Sequence, residues 1–381
     1  MKRRTFLAAA LPRRKTVAAI VTEYRYYSHA DVICSRLLEG YHPNNVKQEP
    51  RTRMVSMYTD QIAAKDLSRD VAAKHGFPIY PSIAEALTLG TGKLAVDAVL
   101  LVGEHGNYPT NDRGQKLYPR FDLYERIIDV FKASHRSVPV FSDKHLSWSW
   151  NRAHLMYRQS KELGFPFMAG SSIPLTVRYP HLELPLGCDI REAVAVGYAD
   201  LDAYGFHTLE ALQCMVERRR GGETGIRAVE FIEGPEVWKY KSELLDEALA
   251  RGFQNKPGRP EDNAKKPALF RLEYNDGFIS NVFMLTGHTE DWMFATRLNG
   301  KIVSTVFGSP KLRPLPHFDG LVHCIEELFV TGRPVYPIER TLLTTGALSF
   351  LFESRARKTR VLTPQLNIRY RAPEHCYFQT A

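Results

Sequence analysis

The chain has few cysteines, no long apolar run and little net charge once its ends are set aside. Its five cysteines (Cys34, Cys188, Cys214, Cys324 and Cys376) are odd in number and widely spaced, with no C-x-x-C pair. That pattern shows no sign of a disulfide framework or a zinc knuckle. Cys34, Cys214 and Cys324 lie in apolar helical patterns and read as small core residues. No apolar stretch approaches the roughly 20 residues of a membrane-spanning helix. Lys plus Arg number 51 against 42 Asp plus Glu, but residues 1–15 hold six basic residues and no acid, leaving 45 basic against 42 acidic in the rest. So neutral a body has no electrostatic footprint for nucleic acid, and that class of partner is excluded.

What is present is length and pattern. The 381 residues suit two domains at roughly 150 residues each. The basic start (residues 1–15) carries Arg3-Arg4-Thr5-Phe6-Leu7, which looks like a twin-arginine export signal with a short apolar stretch. It reads as a leader, placing the protein in the periplasm, or as a basic tail on a cytoplasmic protein.

From Thr16 apolar runs alternate with amphipathic stretches, as in a parallel sheet covered by helices. Strands are expected at 17–21, 54–58, 77–80, 96–102, 138–142 and 165–170. Helices are expected from Ser28 to Gly40 and at 62–74, 83–89, 121–134 and 151–163. Ser28 and Asp31 have the spacing of a capping box. This predicts a doubly wound α/β domain over 16–170. Over 171–381 the rhythm becomes long alternating strands at 192–198, 225–233, 269–274, 279–287, 292–298 and 301–307. Asn275-Asp276-Gly277 and Asn299-Gly300 read as hairpin turns, the polar stretch 255–266 as a surface loop, and 319–331 and 338–353 as closing helices. The second domain is therefore expected to be α+β, with a large, mostly antiparallel open sheet. Its apolar face predicts a homo-oligomer, a dimer or tetramer.

At Phe141-Ser142-Asp143-Lys144-His145-Leu146 a strand of the parallel sheet ends in a lysine, at the edge where open α/β sheets place ligands. Asp143-Lys144-His145 resembles the E-K-P motif of the Gfo/Idh/MocA oxidoreductases. The order around it is similar too: a strand ending at Asp60, "KHGFPIYPSIAEAL", "VDAVLLV", then "SVPVFSDKHLS". Asp202 to Glu210 resembles that family's D-x-G-x-H-x-x-D helix start, and "GRPVYPIERTLLTTGALSFLFESRARKTRVL" its closing helix and strand. The resemblance covers Thr16 to Leu366. It implies a Rossmann domain binding NAD or NADP, and a sheet domain holding a sugar, cyclitol or related polyol. Carried over by position, Lys144 would bind or polarise the reacting hydroxyl and His207 would be the acid/base, with Asp202 beside them. Burial and a neighbouring imidazole suit a lysine to such work.

The chain departs from the family at the phosphate turn. Glycines let a backbone approach a pyrophosphate at a helix N-terminus, but here the turn is Thr22-Glu23-Tyr24-Arg25-Tyr26-Tyr27-Ser28. Tyr24, Arg25, Ser28 and His29 are the candidates to meet the cofactor there. Asp60 stands at the place of a ribose-binding acid and is equally a helix cap. Glu104 and His105 replace small residues next to the nicotinamide position, and Asp143 precedes the lysine. With Asp202 and His207, Glu104 and His105 would also suit a divalent cation, though no metal is assigned. Trp148 and Trp150 would stack on a sugar or pack in the core. Tyr204 joins them as a substrate candidate, and His317 and Asp319 lie open to either reading. The chemistry expected is oxidation of a polyol with NAD or NADP. The alternatives are a non-redox or metal-assisted carbohydrate enzyme without classical dinucleotide binding, and a non-catalytic carbohydrate- or protein-binding relative.

Overall fold

The computed structural model describes residues 13–311 and 314–375. The twin-arginine stretch and Cys376 lie outside them. Strands β1 (Lys15–Val21), β2 (Thr52–Thr59), β3 (Ala98–Val102), β4 (Val140–Asp143) and β5 (Phe167–Gly170) form a parallel sheet in the order β2-β1-β3-β4-β5. A parallel sheet is buried on both sides, which is why its strands read as continuous apolar runs. Val17, Ala19, Val21, Leu100 and Val102 pack under α1 (His29–Glu39) and α2 (Ser68–His75). Ala18, Ile20, Val99 and Leu101 pack under α3 (Ile83–Thr88), α4 (Arg120–Ser134) and α5 (Trp150–Glu162).

Two local expectations are corrected. Residues 77–80 form no strand, only a bridge between Ile79 and Met57, because Pro78 within the segment and Pro81 just after it have no N–H to donate. The helix expected at 62–74 begins at Ser68. The residues before it pair instead with the turn after β1, Leu67 N–H donating to Tyr24 O at 2.8 Å.

The second sheet has eight strands in the order β13-β8-β9-β10-β7-β11-β12-β6. In chain order the elements are β6 (Arg178–Tyr179), β7 (Glu192–Gly197), α6 (Ala203–Val216), β8 (Ile226–Glu233), α7 (Glu243–Leu249), α8 (Pro260–Asn263), β9 (Ala268–Tyr274), β10 (Ile279–Met284), β11 (Trp292–Leu298), β12 (Lys301–Phe307), α9 (Asp319–Thr331), α10 (Ile338–Arg357) and β13 (Val361–Leu362). Every neighbouring pair is antiparallel except β10 with β7. Asn299 and Gly300, at φ +50° and +82°, make the tight β11–β12 turn, as a two-residue hairpin demands.

One face of this sheet packs Phe270, Leu272, Val282, Met284 and Phe294 against α6 and α10. The other face was expected to stay open and apolar. Its Val194, Val196, Phe283, Met293 and Ala295 are covered within the chain by Val237, Leu244, Leu245, Ala248 and Ala264. The cover is α7 and its flanking loops, which the polar composition of that region concealed.

The last two helices bind the sheets together. Val322, Ile325, Leu328 and Phe329 of α9 return to the core of the parallel sheet. In α10, Ile338 and Leu342 join the parallel-sheet core, while Leu343, Ala347 and Leu351 join the antiparallel one. Gly346 permits the crossing, since a Cβ there would lie 2.4 Å from Leu366 and 2.8 Å from the Trp150 ring.

Candidate active site

Lys144 follows β4 with φ +65°, a left-handed conformation costly for a residue with a Cβ. Its N–H donates to Gly170 O at 3.0 Å. The kink leads its side chain, 4% exposed, to Glu104 at the end of β3, with Nζ 3.3 Å from Oε1. The second Glu104 oxygen accepts from Arg120, the first residue of α4. Arg120 also donates to His145 Nδ1 at 2.8 Å, which leaves the imidazole proton on Nε2, 3.6 Å from Asp202 Oδ1. Buried cations and carboxylates thus alternate from Lys144 to Asp202. Burial alone would raise the Glu104 carboxyl, but Lys144 and Arg120 outweigh it and hold the group well below the usual range.

Beside this row lies a cavity of about 410 Å³, between the carboxyl edge of the parallel sheet, α6, the start of β11 and the segment after β12. Lys144, Glu104, His105 and His29 line it together with Tyr204, His207, Trp292, Ser309 and His317. Burial first, then Lys144 and His29, pushes the His207 imidazole well below its ordinary value. Burial also brings His105 and His317 down to about 3. All three rings are therefore neutral near pH 7. His105 Nε2, His207 Nδ1, Trp292 Nε1, Ser309 Oγ and His317 Nδ1 have no partner among the described residues. Such a concentration is unusual in a folded interior, where buried polar atoms are paired. Trp292 stacks on Tyr204 at 5.4 Å and 21° and meets Tyr198 at 4.8 Å, making an aromatic wall. His29 Nδ1–H donates to Asp143 Oδ2 at 2.6 Å, and its ring packs edge-on against Phe318.

Of the residues singled out by sequence, the fold brings Lys144, His207, His29, Glu104, His105, Tyr204 and His317 to this cavity, with Asp143 behind His29. Asp202 stands outside it. Its Oδ2 accepts the Lys116 N–H at 2.9 Å, and Asp200 rather than Asp202 accepts from the first amides of α6. Trp148 and Trp150 also stand apart. Trp150 stacks on His154 at 5.2 Å and packs against Gly346, and the Arg152 guanidinium lies over Trp148. Sequence reasoning missed Arg120, Tyr198, Trp292 and Ser309. Nothing local marks Trp292, which is brought in by the register of β11 against β7. Among the described residues no group of three His, Cys, Asp or Glu side chains is arranged to hold a metal ion.

The turn after β1 does not fit a dinucleotide phosphate. Tyr24 is packed in the core, and Glu23 pairs with Arg25 at 2.6 Å. Ser28 Oγ accepts from the Arg25 and Asp31 amides, and Asp31 Oδ2 from the Tyr27 amide. Tyr27 takes φ +66° where a glycine would be at ease. Asp60, at the ribose position, is engaged on both oxygens: Tyr58 OH donates to Oδ1 at 2.9 Å and Tyr108 OH to Oδ2 at 2.7 Å.

A five-stranded parallel sheet joined to a large, mostly antiparallel sheet is the architecture that the Gfo/Idh/MocA resemblance implies. Solved structures bear this out. GenD2 from gentamicin A biosynthesis, in complex with NAD, superimposes with a TM-score of 0.60 at 14% identity, over 93% of this chain and 99% of that one. Myo-inositol 2-dehydrogenase from Lactobacillus plantarum gives 0.56 at 11% identity, over 92% and 99%. Scyllo-inositol dehydrogenase from Lactobacillus casei gives 0.57 at 9%, over 92% and 98%. No family model and no curated protein matches the sequence. At these identities the likeness establishes the fold.

Proposed function

We propose that this chain is an enzyme performing acid–base chemistry at a carbon-bound hydroxyl of a sugar, cyclitol or related polyol. The observation that carries the reading is the convergence of Lys144, after β4, and His207, in α6, on one cavity with five unpartnered polar atoms in its walls. Polyol hydroxyls would pair with those atoms, while the Tyr204–Trp292 wall takes a C–H face. In this reading Lys144, held by Glu104, donates to the reacting oxygen, and neutral His207 takes up and returns the proton. Glu104 and Arg120 position the lysine.

The test is a panel of sugars, cyclitols and polyols screened by thermal shift, with conversion followed by NMR. Lys144→Met and His207→Asn should each lose turnover by about 100-fold or more while still binding the ligand. Wild-type turnover in both variants refutes the assignment.

A second reading, NAD(P)-dependent oxidation of the same hydroxyl, is favoured by the fold shared with GenD2 and the inositol dehydrogenases. NADH and NADPH titrations separate the two. We also propose a homo-oligomer, to be checked by light scattering, and a division near residue 170 between a nucleotide-fold unit and a substrate unit.

A further inference from the structure

We propose that the groove in which this fold holds a dinucleotide is closed in this chain by the chain's own side chains, and that its reaction proceeds without NAD or NADP. The groove is bounded by three segments: the turn 22–28, the end of β2 with 60–67, and the loop 104–118 after β3. Here the three are sewn together. The Gln61 amide N–H donates to Thr22 O at 2.7 Å and the Leu67 amide N–H to Tyr24 O at 2.8 Å, joining the first two segments. The Gln61 side chain and the Asn107 backbone exchange two hydrogen bonds, Nε2 to Asn107 O at 3.2 Å and Asn107 N–H to Oε1 at 2.8 Å. Tyr108 drops into the groove against Gly106, where a Cβ would lie 2.6 Å from its ring, and donates to Asp60. Thr22 Oγ1 donates to Glu104 O at 2.6 Å, closing the triangle.

A dinucleotide entering this seam would break these bonds and leave the freed groups to be paired again. It would also bring its phosphates and ribose toward Glu23 and Asp60, with Arg25 already committed to Glu23. Like charges in a partly desolvated cleft add several kT of opposition. The loop is anchored at its far end as well, through Lys116 N–H to Asp202 and Gln115 Nε2 to Trp148 O. The far end of the loop is thus tied to the start of α6.

The consequence for chemistry rests on the acid–base reading above. Without a hydride acceptor, the steps left to His207 and Lys144 are balanced proton transfers, such as an elimination. There His207 takes a proton from a carbon next to a carbonyl, and the C–H electron pair becomes the C=C bond. The oxygen on the adjacent carbon departs with its bonding pair and a proton from Lys144, and nothing is oxidised or reduced.

The experiment titrates the full wild-type chain with NADH and with NADPH by fluorescence and calorimetry, and assays the supernatant of denatured protein for released nucleotide. A polyol thermal-shift panel is run on the same preparation. The expected result is no saturable nucleotide binding tighter than about 1 mM and no released nucleotide. Saturable binding of either nucleotide, or stoichiometric release, overturns the proposal. The polyol arm reads the function separately: a polyol response beside a silent nucleotide titration supports both proposals, while silence in both arms supports the closed seam and removes the polyol reading.

Discussion

Lys144 and Glu104 depend on each other, and the dependence is unequal. Glu104 retains Arg120 when the lysine is lost, so Lys144→Met should keep the fold. Glu104→Gln instead leaves two buried cations facing each other, and urea unfolding should show a loss of about 3–5 kcal/mol. The cavity histidines set a pH dependence. His105 and His317 titrate near 6.5 in the unfolded chain and at about 3 in the folded one. Between those values the unfolded state binds protons that the folded state refuses. Stability is therefore complete above pH 6.5 and falls as the pH drops through the window, by about 1.4 kcal/mol per pH unit for each ring. His105→Gln and His317→Gln should each flatten that slope, read from urea midpoints between about pH 7 and pH 5. Lys144 and His207 were legible in the sequence because a strand end and a helix start fix where such residues emerge. Arg120 and Trp292 were not, since each reaches the site through a contact between distant segments that no local pattern records.

At the scale of elements, α1 is held at both ends. Ser28 Oγ accepts from the Asp31 amide, and Ser28→Ala should cost about 1 kcal/mol. At the other end Arg36 Nε lies 2.6 Å from Asp319 Oδ1, with the same guanidinium donating to Leu315 O. Both carboxylate and guanidinium are buried. Asp319→Asn should cost several kcal/mol and speed hydrogen exchange in α9 and at the cavity wall 315–318, a pattern mass spectrometry resolves. The long strands of both sheets were readable because a buried parallel strand is a continuous apolar run and a half-buried one alternates, whereas the two-residue β6 (Arg178–Tyr179) is too short to show either pattern. The helix α7 was hidden for the opposite reason. Seven residues is too short for helical periodicity to declare itself, and its apolar face exists only against the sheet that it covers.

At the scale of the whole molecule, α9 and α10 make the two sheets one cooperative structure. Gly346→Val would push a side chain into Trp150 and Leu366 at the crossing of the two cores, and overpacking of this kind costs about 1–3 kcal/mol. The wild type should unfold in one transition by near-UV and far-UV circular dichroism, and Gly346→Val should split it in two. The return of α9 to the first sheet also bears on how the chain is made. A ribosome delivers β1 to β5 first, yet α9, which completes the cover that α1 and α2 begin on one face of their sheet, emerges only after strands β6 to β12 of the second sheet. At roughly 5–20 residues per second that interval is on the order of ten to thirty seconds. Through it, Val17, Ala19, Leu100 and Val102 wait with an unfinished cover, since Val322, Ile325, Leu328 and Phe329 of α9 complete their cluster, a vectorial delay in which exposed apolar surface favours aggregation of the nascent chain.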